Sequence, residues 1–515
     1  MYQQQLMEEI KLSVTPEVSL LIDRVKRLLT KENFQSYLVG GLVRDLLMGR
    51  DSGDIDIAVS ANALDVAASI AGSLNGKYVP LDEVNGVGRV IVTDADTATK
   101  REIDFSTIPD TIEHDLARRD FTIDALAVAL ADITPADTGE EVLRITELID
   151  PFDGQGDLNR GIIRAVSDTT FTSDPARLLR AVRLAAELDF TIASETESLI
   201  RDANHMIGTV AGERIREELL RLLAGPQAAS VLDYLDRLGL LTELVPELSP
   251  ARGVDQPLIH YWDVFQHSIQ TVAAVEFLLG EGEWHYASTE VLTTVPWSTE
   301  LRQHFNQEVS SGSTRKSLLK VAALLHDIAK PRTKSVDADG RARFLGHPNE
   351  GADLAVSILE RLRFSARETK MVELEVKNHL RPEQMSNLGM PSHRAVYRYF
   401  RDTGDTGIDI LFLNLADHLA TRGPELELAG WHEHARRVAY VLNKRFEEES
   451  LTTPPKLVDG HDLITIFGIQ PSPQIGELLE AVREAQATGE LTSREQALEF
   501  INEWLAKTRH ILSDA

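Results

Sequence analysis

Two aspartates, Asp54 and Asp56, stand two apart in the run DIDIAV, shortly after the paired glycines Gly40 and Gly41. On a strand, that spacing turns both carboxylates to one face and Ile55 and Ile57 to the other. Carboxylates sharing a face repel unless a cation sits between them, and oxygen-only ligands favour a hard ion such as Mg²⁺. Glycines lacking Cβ let the backbone approach a bulky ligand. In REIDFS, Glu102 and Asp104 again share a face. Asp104 is the candidate for a third metal-site carboxylate, with Glu102 as its rival. Arg118, Arg119 and Asp120 follow in DLARRDFTIDALAV. The arginines are planar donor forks suited to phosphate and ribose oxygens. Asp120 can accept from a ribose hydroxyl or orient an arginine.

A second constellation lies in the other half of the chain. His267 lies in YWDVFQHSIQTV, His326 and Asp327 in VAALLHDIAKP, His347 in FLGHPNEGADLA, His379 in EVKNHLRP and Asp417 in LNLADHLATRG. One histidine on an apolar helix is usually a core residue. A set ordered H…HD…H…H…D reads instead as a ligand set, and imidazole with carboxylate suits Mn, Fe, Co, Ni or Zn. A metal pair there would activate water and clamp a phosphate ester. In SDPARLLRAVRLAAELDF, Asp174 and Arg177 are neighbours on one helical face. Asp174 before Pro175 also fits an N-cap with proline at the first helical position.

The elements that must position these groups are legible in outline. Tyr37–Val39 reads as a strand entering the Gly-Gly turn, Leu42–Met48 as a helix closed by Gly49, and DIDIAV as the next strand. Residues 61–75 read as a helix; 88–93 and 101–106 read as a hairpin around an Asp/Thr-rich turn. Residues 1–33 read as an amphipathic helical lead-in through Leu20, Leu21, Ile22, Val25, Leu28 and Leu29. The helix within 173–190 has Leu178, Leu179, Val182, Ala185, Ala186 and Leu188 as its apolar face. Arg214 and Glu217 in ERIREELLRLL fit a surface helix with ion pairs, and with Arg177, Arg180 and Arg183 they offer a local basic surface. Residues 281–317, carrying Trp284 and Trp297, read as an exposed insertion acting as a lid or partner surface. Residues 440–515 read as helical and acidic, with a turn at Pro454-Pro455 and no assignable function.

Composition bounds the rest. With 515 residues, 43% hydrophobic and 26% charged, the chain suits several soluble domains. The absence of cysteine excludes disulfides, thiolate metal sites and a thiol nucleophile. The start MYQQQLMEEIKLSV has no basic patch before an apolar core, and no apolar run approaches the ~20 residues of a spanning helix. A cytoplasmic protein with no membrane partner is expected. A net charge of −28 opposes nucleic-acid binding except through a local basic patch.

The Gly-Gly turn with Arg44-Asp45, the DxD pair and RRDFTIDA resemble the nucleotidyltransferase head of the class II tRNA CCA-adding and bacterial poly(A) polymerase family. DPFDGQGDL after Leu148 resembles a later motif of that family that connects head and neck. The H…HD…H…H…D order resembles the HD phosphohydrolase superfamily, a helical bundle holding one or two divalent cations.

The resemblance implies an α+β chain. A small mixed-sheet, polymerase-beta-like head (1–147) leads to an all-helical neck binding nucleotide and RNA (148–250). An HD phosphohydrolase-like bundle (251–440) and a helical tail (441–515) follow. It implies template-independent addition of CC, or CCA, to tRNA 3′ ends from CTP and ATP, with Mg²⁺ on Asp54, Asp56 and Asp104. Gly40, Gly41, Arg44, Arg118, Arg119, Asp120, Asp174, Arg177, Arg180 and Arg183 would bind nucleotide. In the family, the Asp and Arg matching Asp174 and Arg177 face the incoming base; carboxylate acceptor beside guanidinium donor suits C or A. The family's Glu is Ser173 here, and its usual Asn is Asp124, which puts an anion close to the triphosphate. Only FSTIPDTIEH separates Asp104 from Asp115. In the family, loss of a longer flexible segment there goes with enzymes that add only two cytidines. A phosphohydrolase whose head merely binds nucleotide, and a poly(A) polymerase, are the alternatives. A homo-oligomer is compatible with the sequence.

Overall fold

The structure, a computed structural model, describes residues 10–32, 34–50, 54–93, 100–135, 142–256, 259–385, 389–450, 456–487 and 489–513. The Asp/Thr-rich turn and Pro454-Pro455 lie outside the described residues. The fold is α+β and divides into two compact units. One holds residues up to Val210 together with Arg237–Glu243; the other holds Ala211–Asp236 and Leu244 onward.

The first unit contains the strands β1 (Ile10–Ser13), β2 (Ser36–Val39), β3 (Asp54–Val59), β4 (Lys77–Asp82), β5 (Val87–Thr93), β6 (Lys100–Thr107), β7 (Ala127–Ala129), β8 (Ile133–Pro135) and β9 (Val142–Ile145). Six form a mixed sheet in the order β4-β5-β6-β3-β2-β7. β3 and β6 pair in parallel, with Asp56 opposite Asp104 and Asp54 opposite Glu102. β5 runs antiparallel to β6 and sets Arg89 opposite Asp104. One sheet face, carrying Ile55, Ile57, Ile103, Phe105 and Val90, is buried in a core that also takes the apolar stripes of helices Pro16–Thr30 and Ala63–Leu74. A one-residue slip would move those apolar groups to the opposite face, so burial enforces the register that groups the carboxylates.

Several local expectations change. The lead-in contains a strand before its helix, because β1 pairs antiparallel with β9 and completes a three-stranded sheet with β8. Leu20 and Ala186 face outward, since the helical stripes are centred one position away from them. The hairpin gains β4, which pairs with β5. The neck is not purely helical: Ile162–Ile163 and Thr191–Ile192 form a short parallel pair. Gly154 opens helix Gly154–Arg160 rather than lying in a plain turn, and the Asp150 carboxylate accepts from Gly154 N (2.7 Å) and Gln155 N (2.9 Å). Asp157 on that helix is buried, accepts from Thr122 Oγ1 (2.8 Å) and pairs with Arg160 and Arg164.

In the second unit, helices Val264–Leu278, Arg315–Leu325, Ala366–Asn378 and Thr406–Arg422 pack as a bundle, with His347–Arg361 against Ala366–Asn378. The 281–317 segment is built into it. Trp284 is only 4% exposed and donates to Gln270 Oε1 (3.1 Å), because its ring also packs on Phe277 and Tyr286. Trp297 stacks on Phe305, and His304 and Arg315 hold the buried Asp409 at 3.0 and 2.7 Å. The tail has its own core, formed by Val458, Leu463, Leu478, Val482, Ala485, Leu491, Ala497 and Ile501.

A Cβ on Gly154 would lie 2.1 Å from the backbone oxygen of Thr122. Backbone cannot retreat as a flexible side chain can, so Gly154→Ala should destabilise the first unit by about 2–4 kcal/mol. Denaturant unfolding followed by a probe in that unit checks this.

Candidate functional site

Asp56, Asp104, Asp115, Arg118, Arg119, Ser173, Asp174 and Arg177 line one cleft of about 650 Å³, with Asn85, Ser106, Ser167 and Thr169 among their neighbours. The Gly-Gly turn permits the closest approach. Gly40 has φ +70°, and a Cβ there would lie 3.0 Å from Arg119 Nη1 and 3.6 Å from Asp56 Oδ2. Arg119 is steadied by Asp115 (2.9 Å). Burial, with the negative charges of Asp104 and Asp54 beside it, pushes the Asp56 carboxyl up to about 6, although Arg119 opposes the rise. The all-oxygen donors of Asp56 and Asp104, paired across β3 and β6, fit Mg²⁺.

Arg89, which sequence reasoning missed, binds Asp104 through both oxygens (2.7 and 2.8 Å) and also pairs with Glu102. Strand alternation alone puts Arg89 on a face; only the β5–β6 register puts it opposite Asp104. Asp104 lines the cleft and Glu102 does not.

Arg177 is held by the RRD segment itself: its Nη2 donates to the carbonyl of Arg118 (2.8 Å) and Nη1 reaches Ser173 Oγ (3.4 Å). Asp174 lines the cleft and accepts from Ala176 N (3.3 Å), but the helix begins at Arg177 with Ala176 as its N-cap, so the expected cap with Pro175 at the first helical position does not form.

Other candidates are turned inward. Arg44 bonds Asp124 (2.6 Å) and Asp45 (2.8 Å). Arg180 pairs with Asp120 (2.6 Å) and approaches Asp124 at 3.5 Å. Arg183 is buried against Glu187 (2.6 Å). Arg44, Asp120, Asp124, Arg180 and Arg183 do not line the cleft, so Asp124 acts as counter-ion to Arg44 rather than as an anion beside a triphosphate. Arg180 is likewise spent on the buried Asp120, and Arg183 on the exposed Glu187 of its own helix, instead of forming an open basic surface.

In the helical unit, all six candidate ligands converge. His267, His326 and Asp327 form one group whose ligand atoms lie within 4.8 Å of one another; Asp327, His347 and His379 form a second. Asp327 is the shared member, and Asp417 Oδ1 sits 3.1 Å from His267 Nε2. The Nδ1 atoms of His326, His347 and His379 face the carbonyls of Ala323 (2.8 Å), Phe344 (2.7 Å) and Val376 (2.7 Å). A carbonyl can only accept, which fixes the proton on Nδ1 and leaves each Nε2 lone pair pointing inward. Burial drives His379 down to about 3 and lowers His267 as well. Burial opposes the charge on Asp327, but His326 and Lys330 outweigh it and hold its carboxyl well below the usual range. Lys330 lies 2.5 Å from Asp327, and sequence reasoning did not single it out. Four imidazoles and two carboxylates offer the nitrogen and oxygen donors that borderline divalent metals take. The cavity beside them, about 440 Å³, is lined by no residue of 281–317, so that segment is not its lid.

Among the described residues, no helix is long and apolar enough to cross a membrane. The chain matches the Poly A polymerase head domain over residues 36–164, the RNA and SrmB-binding site of polymerase A over 189–252, the HD domain over 264–422 and tRNA nucleotidyltransferase domain 2 over 441–501. An A-adding tRNA nucleotidyltransferase of Deinococcus radiodurans is 34% identical, the match covering 92% of this chain and 96% of that protein. A CC-adding tRNA nucleotidyltransferase of Thermus thermophilus is 32% identical, covering 91% and 93%. The structure of a CCA-adding enzyme with CTP superposes with a TM-score of 0.62 at 21% identity, covering 95% of this chain and 96% of that one, which shows a shared fold.

Two outcomes follow from the geometry. A carboxyl raised in the folded state contributes stability below its unfolded pKa, and that contribution is lost as pH rises through the folded one. Between about pH 4 and 6, Asp56 should therefore make the metal-free fold progressively less stable. Asp56→Asn should raise stability by about 2–3 kcal/mol at pH 8 in chelator and hardly at all near pH 4. Parallel unfolding curves at the two pH values test it. His326→Ala should weaken metal binding in the helical unit at least ~100-fold, since it removes a direct ligand, while nucleotide addition stays within about twofold. Elemental analysis beside a transfer assay reads both.

Proposed function

The chain belongs to the tRNA nucleotidyltransferase family, and from that premise we propose that its head adds two cytidines to tRNA 3′ ends and stops there. The observation that carries the restriction is the connection between β6 and helix Ile112–Ala117. It is four residues long, 108–111, and pinned at both ends. Ile108 N donates to Val59 O (2.8 Å), Thr111 caps the helix through His114 N (3.3 Å), and Ile108 and Ile112 are buried. Exchanging C for A in one pocket requires more room and a changed pattern of donors and acceptors. A tether this short has little slack for such a change, since chain reach is about 3.3–3.6 Å per residue.

Within the cleft, Arg118 and Arg119 grip the triphosphate, and Asp174 and Arg177 meet the base edge, accepting from its amino group and donating to its ring nitrogen. The tRNA 3′-oxygen forms a bond to the α-phosphorus as the bond to pyrophosphate breaks, and the hydroxyl proton passes to solvent. Asp54, Asp56 and Asp104 would hold Mg²⁺, which when bound would supply charge neutralisation and make that hydroxyl more acidic. Arg89 keeps Asp104 in place until the ion binds. Positioning and electrostatics then account for most of the rate.

We further propose that the helical site is a phosphohydrolase using Mn, Fe, Co, Ni or Zn. The two ligand groups that share the buried Asp327 support this reading, since imidazole and carboxylate together suit such ions. A tRNA- and nucleotide-dependent enzyme of this kind would work in the cytoplasm.

The decisive assay supplies tRNA ending at the discriminator base, in C and in CC, with CTP and ATP separately and together, at low salt. Two cytidines and no adenosine is the expected result. Efficient adenosine addition to the CC-ending tRNA overturns the restriction. If cytidine addition is then absent, the chain acts like the A-adding relative; if present, it is a full CCA-adding enzyme.

A further inference from the structure

Arg422 closes the helix Thr406–Arg422, five residues beyond Asp417 and so about 7.5 Å further along the axis. Both side chains line the 440 Å³ cavity. The lining also contains Lys330 and Arg343, but each already has a carboxylate: Asp327 at 2.5 Å and Asp337 at 3.2 Å. Arg422 makes no hydrogen bond or ion pair to the described residues. The cavity's acids are Asp327, Asp417 and Glu383, and the first two belong to the ligand set. Once cations occupy that set, the wall carrying Arg422 has an uncompensated positive charge. A helix C-terminus favours a cation, which explains an arginine there but not its place in a phosphate-ester cavity.

We propose that Arg422 holds a second phosphate of the substrate hydrolysed at the HD site. The preferred substrate is then a phosphate ester whose alcohol carries another phosphate, either a nucleoside bisphosphate or the phosphorylated 3′ end of an RNA. This rests on the phosphohydrolase reading above. In the reaction, a water oxygen bonds to the scissile phosphorus, the ester P–O bond breaks, and the alcohol leaves with a proton as inorganic phosphate forms. The second phosphate is unchanged and serves as a handle, and the bidentate guanidinium suits that use.

The test uses the full chain loaded with Mn²⁺ and three probes: p-nitrophenyl phosphate, adenosine 3′,5′-bisphosphate and a short oligoribonucleotide with a 3′-phosphate. Arg422→Met should lower kcat/KM about 10- to 100-fold for one or both phosphate-bearing probes, mainly through KM, as expected for a lost charge-assisted hydrogen bond. p-Nitrophenyl phosphate turnover and metal content should stay within about twofold, and Arg422→Lys should recover part of the loss. Whichever of the two phosphate-bearing probes responds identifies the source of the ligand. An equal loss on all three probes, or no loss on any, overturns the assignment and leaves Arg422 a helix end. Absence of turnover of every probe by the wild-type chain with Mn²⁺, Ni²⁺ or Co²⁺ removes the phosphohydrolase reading, and this inference with it.

Discussion

The parallel pairing of β3 with β6 is the constraint on which the head depends. It places Asp56 opposite Asp104 and Asp54 opposite Glu102. All four groups face one surface only because Ile55, Ile57, Ile103 and Phe105 bury the other. Like charges on adjacent strands are unfavourable, so the apolar face must outweigh the repulsion that the polar face creates. Arg89 across the β5–β6 pair offsets part of it. The rest remains as the raised proton affinity of Asp56. The fold thus holds a carboxylate arrangement that is unfavourable without a cation and ready for one.

The helical site solves the same problem differently. Its ligands come from the ends and middles of separate helices, and three imidazoles are oriented by the carbonyl three residues earlier in the chain. Each of these histidines sits at a helix end or just beyond it: His326 and His379 follow their helices, and His347 starts one. There the backbone carbonyls have no helical partner and are free to accept from Nδ1. Orientation is therefore encoded locally, and only convergence needs the bundle.

These differences decide what was legible in the sequence. The DxD strand and its glycine turn follow from alternation and turn chemistry over a few residues, and the α+β class from the resemblance that those motifs carry. The helical bundle around the histidines came from the resemblance of their H…HD…H…H…D order to the HD superfamily. Pairings across the chain were not legible. Strand β1 is too short to announce itself, and it exists through β9, more than a hundred residues later. Arg89 has no local motif and matters only through register. Trp284 looked exposed in a polar segment, yet it is covered by aromatic neighbours that composition cannot place. The arginines were the hardest group, because Arg44, Arg180 and Arg183 have the same sequence character as Arg118 and opposite fates.

That sorting of arginines answers the objection raised by a net charge of −28. Arg44 and Arg180 spend their charge on the buried Asp124 and Asp120, bracing the segment that carries Arg118 and Arg119, while Arg183 pairs with Glu187 on its own helix. Arg118 has no side-chain ion pair among the described residues and opens into the cleft. Arg119 and Arg177 are anchored there, by Asp115 and by the Arg118 carbonyl, with guanidiniums still facing the cavity. Cationic side chains thus gather in the cleft of an otherwise acidic chain. An acidic exterior repels polyanions elsewhere, which favours correct docking over loose attachment. Because few phosphates meet few cations, head affinity should depend on salt with a shallow slope, set by the number of phosphates neutralised rather than by the charge of the whole chain.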